Sequence, residues 1–286
     1  MRPTDLIRFA RAAATGNPLR TSLLVLAMAI GVAAVVVLTA LGDGARRYVM
    51  NEFASIGSNL VIVLPGRSQT GGFNPANAIT GTPRDLTIAD AQALLRASAI
   101  HRLAPLAVGT SEISVGGKLR ESIVAGTTSQ YIEIRRMSIA QGRFLSEEDW
   151  NRGAAEAVIG AKIRAELFGA EPAVGRLVRV GGRRVRIVGV LSASGQGLGM
   201  QNDELVIVPV ALAQAMFNSN TLFRILIEAR NREAIPAAKS QALEILKLRH
   251  EGEEDVTVIT QDAVLATFDR LLGALTLGVA GIAAIS

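Results

Sequence analysis

Thr21 to Leu41 reads TSLLVLAMAIGVAAVVVLTAL, twenty-one residues without a charge. As a helix this run spans about 31 Å, close to the roughly 30 Å hydrocarbon core of a bilayer. A second uncharged run, Leu271 to Ser286, has sixteen residues. At about 24 Å it falls short of that thickness, so the expectation is a chain that stops inside its second span. Before the first run, Leu6, Phe9, Ala10 and Ala13 share one helical face and Thr4, Arg8, Arg11 and Thr15 the other. That pattern predicts a short amphipathic helix on the inner membrane surface, ended by Asn17-Pro18.

Between the two runs the period alternates between helix and strand. Ala45, Val49, Phe53 and Ile56 form an apolar stripe that carries the first helix onward to a stop at Gly57-Ser58-Asn59. Leu60–Leu64 is a β-branched strand closed by Pro65-Gly66, and residues 66–84 form a long aperiodic loop. Thr87 caps a helix through Arg96, with Asp90 completing a capping box. Strands follow at Leu106–Val115 and Leu119–Ala125, joined by Gly116-Gly117, a two-residue hairpin signal. The same signal recurs at Gly181-Gly182, between Leu177–Val180 and Arg183–Leu191. Further strands are predicted at Ala157–Ile159, Leu205–Val208, Leu222–Ala229 and Asp255–Ile259. Helices are predicted at Ala161–Phe168, up to Phe217, at Glu233–Leu248, and from a Thr260 cap into the second span. Residues 192–202 read as a glycine-rich loop. Strands and helices mix without a regular βαβ repeat, so the class is α+β.

Composition sharpens this picture. Apolar residues are 49% of the chain and the mean hydropathy is +0.34, with only 4% aromatics. That is high for a soluble domain and agrees with membrane spans. With no cysteine, disulfides and thiolate metal sites are excluded. His101 and His250 stand far apart without ligand-spaced partners, so each is expected to be a surface or internally satisfied histidine. Residues 1–20 carry four arginines against Asp5, a net +3 of the total +5. This excess places residues 1–20 in the cytoplasm and 43–270 outside. A cleaved signal peptide is the alternative, but its apolar core runs only about 7–15 residues. The remaining charge is near balance, so nucleic acid is not an expected partner.

No chemistry stands out. There is no G-x-x-x-x-G-K-[ST] phosphate loop and no G-x-S-x-G elbow. Glu147-Glu148-Asp149 reads as the first turn of a helix capped by Ser146. No catalytic residue, cofactor or metal site is predicted. Ala27 with Gly31, and Ala274 with Gly278, are four residues apart and allow close helix packing.

The residues do carry a resemblance. Asn17-Pro18-Leu19-Arg20-Thr21, followed by the span and Gly42-Asp43-Gly44-Ala45, resembles the first membrane helix of MacB-type ABC transporter permeases. Ser55–Leu60 with Leu64-Pro65-Gly66 is similar to the family's first exported strand. Gly142-Arg143-Phe144-Leu145-Ser146-Glu147-Glu148-Asp149 is the strongest stretch. Val158-Ile159-Gly160, Glu166–Gly169, Val174-Gly175-Arg176 and Ile187–Leu191 continue in the expected order. The resemblance implies a two-lobed extracytoplasmic domain with helical stalks between two transmembrane helices, the second opening an FtsX-like block. One lobe would comprise 43–126 and 218–270 and the other 127–217, with spans at 21–42 and from 271. It implies a non-catalytic permease subunit that relays the motion of a separate ABC ATPase subunit, as a homodimer or permease heterodimer with a periplasmic adaptor protein. Arg8 and Arg11 would meet the ATPase or the lipid surface. The rival reading is a membrane-anchored extracytoplasmic binding, sensor or cell-division regulatory protein without transport. No motif selects a substrate.

Overall fold

The computed structural model describes residues 16–56, 59–66, 84–147, 150–193, 202–260 and the helical residues 270, 271, 273–275, 277, 278 and 281. Two compact units are present: a helical one drawn from residues up to 50 and from 265 onward, and an α+β one within 51–264.

Helix α1 runs without a break from Pro18 to Ile56, 39 residues, as the apolar run and the stripe after it predict. Pro18 stands at the first helical position, where its missing N–H costs nothing. Three hydroxyls inside the helix are satisfied by its own backbone. Thr21 Oγ1 donates to the Asn17 carbonyl at 3.2 Å, Ser22 Oγ to Leu19 at 2.9 Å and Thr39 Oγ1 to Val35 at 2.9 Å. Hydrocarbon demands such internal pairing, because no water is there to supply it.

The α+β unit is built on ten strands: β1 (Leu60–Pro65), β2 (Ile100–Val115), β3 (Lys118–Thr127), β4 (Ile139–Gly142), β5 (Glu156–Ile159), β6 (Leu177–Val180), β7 (Arg183–Leu191), β8 (Leu205–Pro209), β9 (Arg224–Ala229) and β10 (Val256–Thr260). Five helices follow α1: α2 (Ile88–Leu94), α3 (Tyr131–Ile134), α4 (Ala161–Phe168), α5 (Val210–Phe217) and α6 (Ile235–Arg249). The sheet order is β10-β1-β9-β2-β3-β8-β5-β7-β4, with β3–β8 and β5–β7 parallel and the rest antiparallel. Strand β6 pairs with both β7 and β2, so β2, β3, β8, β5, β7 and β6 close into a ring of six strands.

Strand β2 belongs to both halves of this sheet. Residues 100–106 pair with β9 and residues 107–115 with β3. The strand therefore begins six residues before the predicted Leu106. Pro105 sits at the changeover, where its carbonyl accepts from Thr127 Oγ1 at 2.8 Å. A proline that ordinarily argues against a strand is tolerated at that point because it has no donor to waste. Both glycine-pair hairpins form as predicted, with φ of +56° and +80° at Gly116-Gly117 and +54° and +78° at Gly181-Gly182. Positive φ at both turn positions is the hairpin geometry that only glycine, asparagine or aspartate adopts readily.

Alternation along the strands sends side chains to two cores. Val61, Val63, Leu103, Val124, Ala157, Ile159, Val206 and Ile225 face one, under α2, α4, α5 and α6. Leu60, Ala104, Leu106, Ala125, Val158, Leu205, Ile207 and Leu226 face the other, with Tyr131 and Ile134 of α3 and Leu145. Burial on both sides explains why LVIVL, AVI and LVIV are continuously apolar rather than alternating.

Several boundaries differ from expectation. Helix α2 stops at Leu94, two residues early, though its capping box forms as read: Thr87 Oγ1 accepts from the Asp90 N–H and Asp90 Oδ2 from the Thr87 N–H. Strand β9 starts at Arg224, with Leu222 held only by a bridge to Leu86. Helix α3 and strand β4 were not predicted. The helix predicted from the Ser146 cap is absent among the described residues, where Trp150–Arg152 form a turn and bend. Ser146 instead gives its N–H to Glu156 Oε1 at 2.7 Å. Glu148 and Asp149, the loops at 67–83 and 194–201, and residues 261–269 of the last predicted helix lie outside the described residues.

Candidate functional site

The apolar helix is the first functional feature. Pro18–Ala45 has a mean hydropathy of 2.8, enough by length and composition to cross a membrane. Its large side chains stand exposed, Met28 at 71% and Val37 at 66%. Residues of lower exposure recur as Ala27, Gly31, Val35, Leu38, Gly42 and Ala45. Spacings of three and four place them along one stripe. Two of the four small residues singled out for packing, Ala27 and Gly31, thus lie on the less exposed face of α1. Ala274 and Gly278 are exposed, and a Cβ built on Gly278 meets nothing within 4 Å. Arg8 and Arg11 lie outside the described residues.

Besides Arg102 with Glu133 and Glu228, the α+β unit holds three charged clusters that the sequence reading missed. The first lies in the strongest family stretch. Strands β4 and β7 approach so closely that a Cβ on Gly142 would stand 2.2 Å from the Val188 carbonyl oxygen. One on Gly189 would stand 2.1 Å from that of Arg143. The tight crossing aims Arg143 at the buried Glu156, with Nη2 to Oε2 at 2.7 Å. Burial alone would raise the Glu156 pKa, but the Ser146 N–H, the Arg143 guanidinium and the Ser146 hydroxyl together hold it below the ordinary value.

The second cluster ties α2, α6 and the approach to β10 together. Arg249 Nε donates to Asp90 Oδ1 at 2.6 Å, and His250 Nδ1 lies 2.5 Å from Asp255 Oδ1. His250 Nε2 is 3.5 Å from Asp90 Oδ2, beyond good hydrogen-bond length. His250 is thus buried and only half satisfied: Nδ1 is paired with Asp255, while the buried Nε2 has no hydrogen-bond partner among the described residues, against the expectation of a surface or satisfied histidine. Burial opposes the Asp90 charge most; hydrogen bonds from Arg249 and Thr87 outweigh it and lower the pKa. The third cluster joins Arg120 to Glu166 and Glu204, and Lys162 to Glu204. Glu204 is held low chiefly by the Lys162 hydrogen bond.

These clusters tie neighbouring elements of the α+β unit together. Among the described residues no serine or threonine hydrogen-bonds His250, and no three His, Asp or Glu side chains are grouped to hold a metal ion. The depressed pKa values have a measurable consequence. Asp90 and Glu156 titrate lower when folded than unfolded, so their stabilisation is complete above the ordinary carboxylate range and is lost as pH falls through the folded values. The denaturation midpoint should therefore hold from pH 7 to about 5 and drop below about pH 4. Urea titrations followed through the single tryptophan, Trp150, test this, and a midpoint that rises on acidification would contradict it.

The fold and helix define a class: a mixed-sheet α+β unit on an apolar helix long enough to cross a membrane. A family model for the MacB-like periplasmic core domain matches residues 21–245. The chain belongs to that family. It is 31% identical over 288 residues to the macrolide export ATP-binding/permease protein MacB of Rhodopseudomonas palustris, covering 100% of this chain and 43% of that protein. It is 30% identical over 273 residues to the pyoverdine export ATP-binding/permease protein PvdT of Pseudomonas entomophila, covering 94% and 40%. The chain thus spans less than half the length of these curated relatives. Among solved structures, the periplasmic region of MacB from Actinobacillus actinomycetemcomitans superposes with a TM-score of 0.65 at 22% identity, covering 77% of this chain and 97% of that one. The extracellular domain of the ABC-type transporter YknZ from Gram-positive bacteria gives 0.58 at 20%, covering 71% and 100%. At such identities these two likenesses concern the fold.

Proposed function

We propose that this chain is a permease component of an ABC-type exporter, non-catalytic itself, that passes the motion of a separate ATPase subunit to its extracytoplasmic unit. The observation that carries this reading is the apolar α1 leading into a domain of the MacB-like periplasmic family. A helix continuous from Pro18 to Ile56 is a stiff element, about 58 Å long, suited to carrying a displacement along its axis. The proposed orientation has residues 1–20 in the cytoplasm and 43–270 outside, supported by the arginine excess before Thr21. Arg8 and Arg11 are the proposed contact with the ATPase or anionic lipid. Ala27 and Gly31, with Ala274 and Gly278, are the proposed helix-packing positions, in a homodimer or permease heterodimer. The two lobes are proposed as 43–126 with 218–270, and 127–217. A periplasmic adaptor would complete the assembly. The relatives' names, macrolide and pyoverdine export, make efflux of such compounds the working proposal for substrate.

The chain has no cysteine, so single reporters can be introduced cleanly. Lys118→Cys, exposed at the tip of the β2–β3 hairpin, should react with an impermeant maleimide in intact cells, while Thr4→Cys should stay shielded until lysis. Adding Arg8→Glu and Arg11→Glu should produce a measurable fraction of chains labelled at position 4. Labelling at position 4 instead of 118 in the otherwise unaltered chain would overturn the orientation and the reading with it.

A further inference from the structure

The outer face of the six-stranded ring carries an arrangement that fold stability does not explain. On the β6–β7 hairpin Arg179 and Arg184 stand directly opposite one another across the two strands. Arg186 follows two residues along β7, on the same face, opposite Leu177. All three arginines are exposed. Across the next two strands Arg179 neighbours Ser114 of β2, and Ser114 neighbours Leu119 of β3. Leu177 and Leu119 are exposed at 55% and 61%.

Like charges directly opposite on a sheet repel, so a stable hairpin alone would not select Arg179 against Arg184. The nearby carboxylates do not neutralise them. Glu171 holds Arg176, and Glu156 is buried against Arg143 and Ser146. Glu112 and Glu121 oppose each other one row further along the outer face, and neither forms an ion pair among the described residues. Arg186 gives Nη1 to the Gly175 carbonyl and forms no ion pair with a carboxylate among the described residues.

We propose that this face docks an extended acidic segment of a partner polypeptide, with carboxylates at alternate positions and apolar residues further along the same face. The guanidinium fork matches a carboxylate bidentately. Arg184 and Arg186, two residues apart on one strand, repeat at about 6.6 Å, the spacing of alternate side chains on an extended partner. Leu177 and Leu119 offer apolar contacts that a polypeptide side chain can use. The Glu112–Glu121 pair on the same surface repels a uniformly anionic bilayer, whereas a polypeptide meets it with a basic residue beyond its acidic stretch. This surface is independent of the export reading above.

The test uses the full chain in phosphatidylcholine nanodiscs and a fluorescent ten-residue peptide, Leu-Ser-Glu-Ser-Glu-Ser-Leu-Ser-Lys-Lys, whose Leu and Glu share one face when extended. Anisotropy should report binding that weakens steeply with salt and is absent for the peptide with every charge reversed. Arg179→Ser with Arg184→Ser and Arg186→Ser should weaken binding at least tenfold, while Arg152→Ser, an exposed arginine elsewhere, should not. The triple variant should melt no lower than the parent, because it removes a repulsion. Equal binding of the two peptides, or equal losses from Arg152→Ser and the triple variant, would overturn the proposal. Displacement of the peptide by phosphatidylglycerol vesicles through the same three arginines would replace it with a lipid surface.

Discussion

Gly189→Ala should unfold the β4–β7 edge and cost about 3 kcal/mol or more, the upper end of overpacking penalties. The Cβ it adds would lie 2.1 Å from the Arg143 carbonyl oxygen and 3.0 Å from its carbon. Both are backbone atoms and cannot turn aside as a side chain could. Relief requires moving β4 off β7, which breaks the Gly142–Gly189 register and the Arg143 N–H bond to the Val188 carbonyl at 2.9 Å. Arg143 would then withdraw from Glu156 and leave a buried carboxylate without its counter-ion. Gly44→Ala is the matched control. Gly44 lies within α1, a Cβ there meets nothing within 4 Å, and helix propensity makes alanine neutral or stabilising. Urea unfolding read through Trp150 should separate the two variants by more than 1 M at ordinary denaturant slopes of about 1–3 kcal/mol per molar. Similar midpoints would show that the strands can part without penalty.

Asp90→Ala should be comparably severe, about 3 kcal/mol, because one carboxylate serves two structures. It completes the capping box of α2, worth about 1 kcal/mol. It also accepts from the Arg249 guanidinium, a charged hydrogen bond worth about 2 kcal/mol, since the Arg249 side chain is 38% exposed and partly rehydrates when its partner is removed. Asp90→Asn keeps an acceptor for the cap and should lose roughly half as much. Double variants with Arg249→Ala distinguish the contributions. If the ion pair dominates, removing Arg249 as well should restore part of the loss; additive losses would show that the cap alone matters.

Much of this architecture was legible locally. The glycine pairs at 116–117 and 181–182 specify their turns, Thr87 and Asp90 specify a helix start, and the apolar run specifies α1. The elements missed, Tyr131–Ile134 and Ile139–Gly142, are four residues each and owe their form to partners: Tyr131 and Ile134 to the sheet beneath them, β4 to β7. No local periodicity can register in so short a span. The acidic run misled because Ser146 had a stronger partner than a helix could offer, a carboxylate ten residues ahead. Asp90 and Arg249 meet across 159 positions, a pairing no spacing rule reaches. One signal was available. Glu156 opens the apolar run Glu156-Ala157-Val158-Ile159, and a charge adjoining a strand buried on both faces implies a counter-ion. The positions proposed for membrane contact, Arg8 and Arg11, rest on the sequence alone.

The place of β1 in the sheet also sets a timetable. In the finished fold it lies between β9 and β10, pairing Val61 with Ile227 on one side and with Thr260 on the other. Both partners are encoded far downstream, the nearer about 160 residues on, so at synthesis rates of about 5–20 residues per second β1 precedes β9 by roughly ten to thirty seconds. Contacts this distant in sequence also close slowly once the chain is complete. During that interval LVIVL has both edges open, and it can pair with the same segment of a neighbouring nascent chain until the C-terminal strands arrive to occupy them.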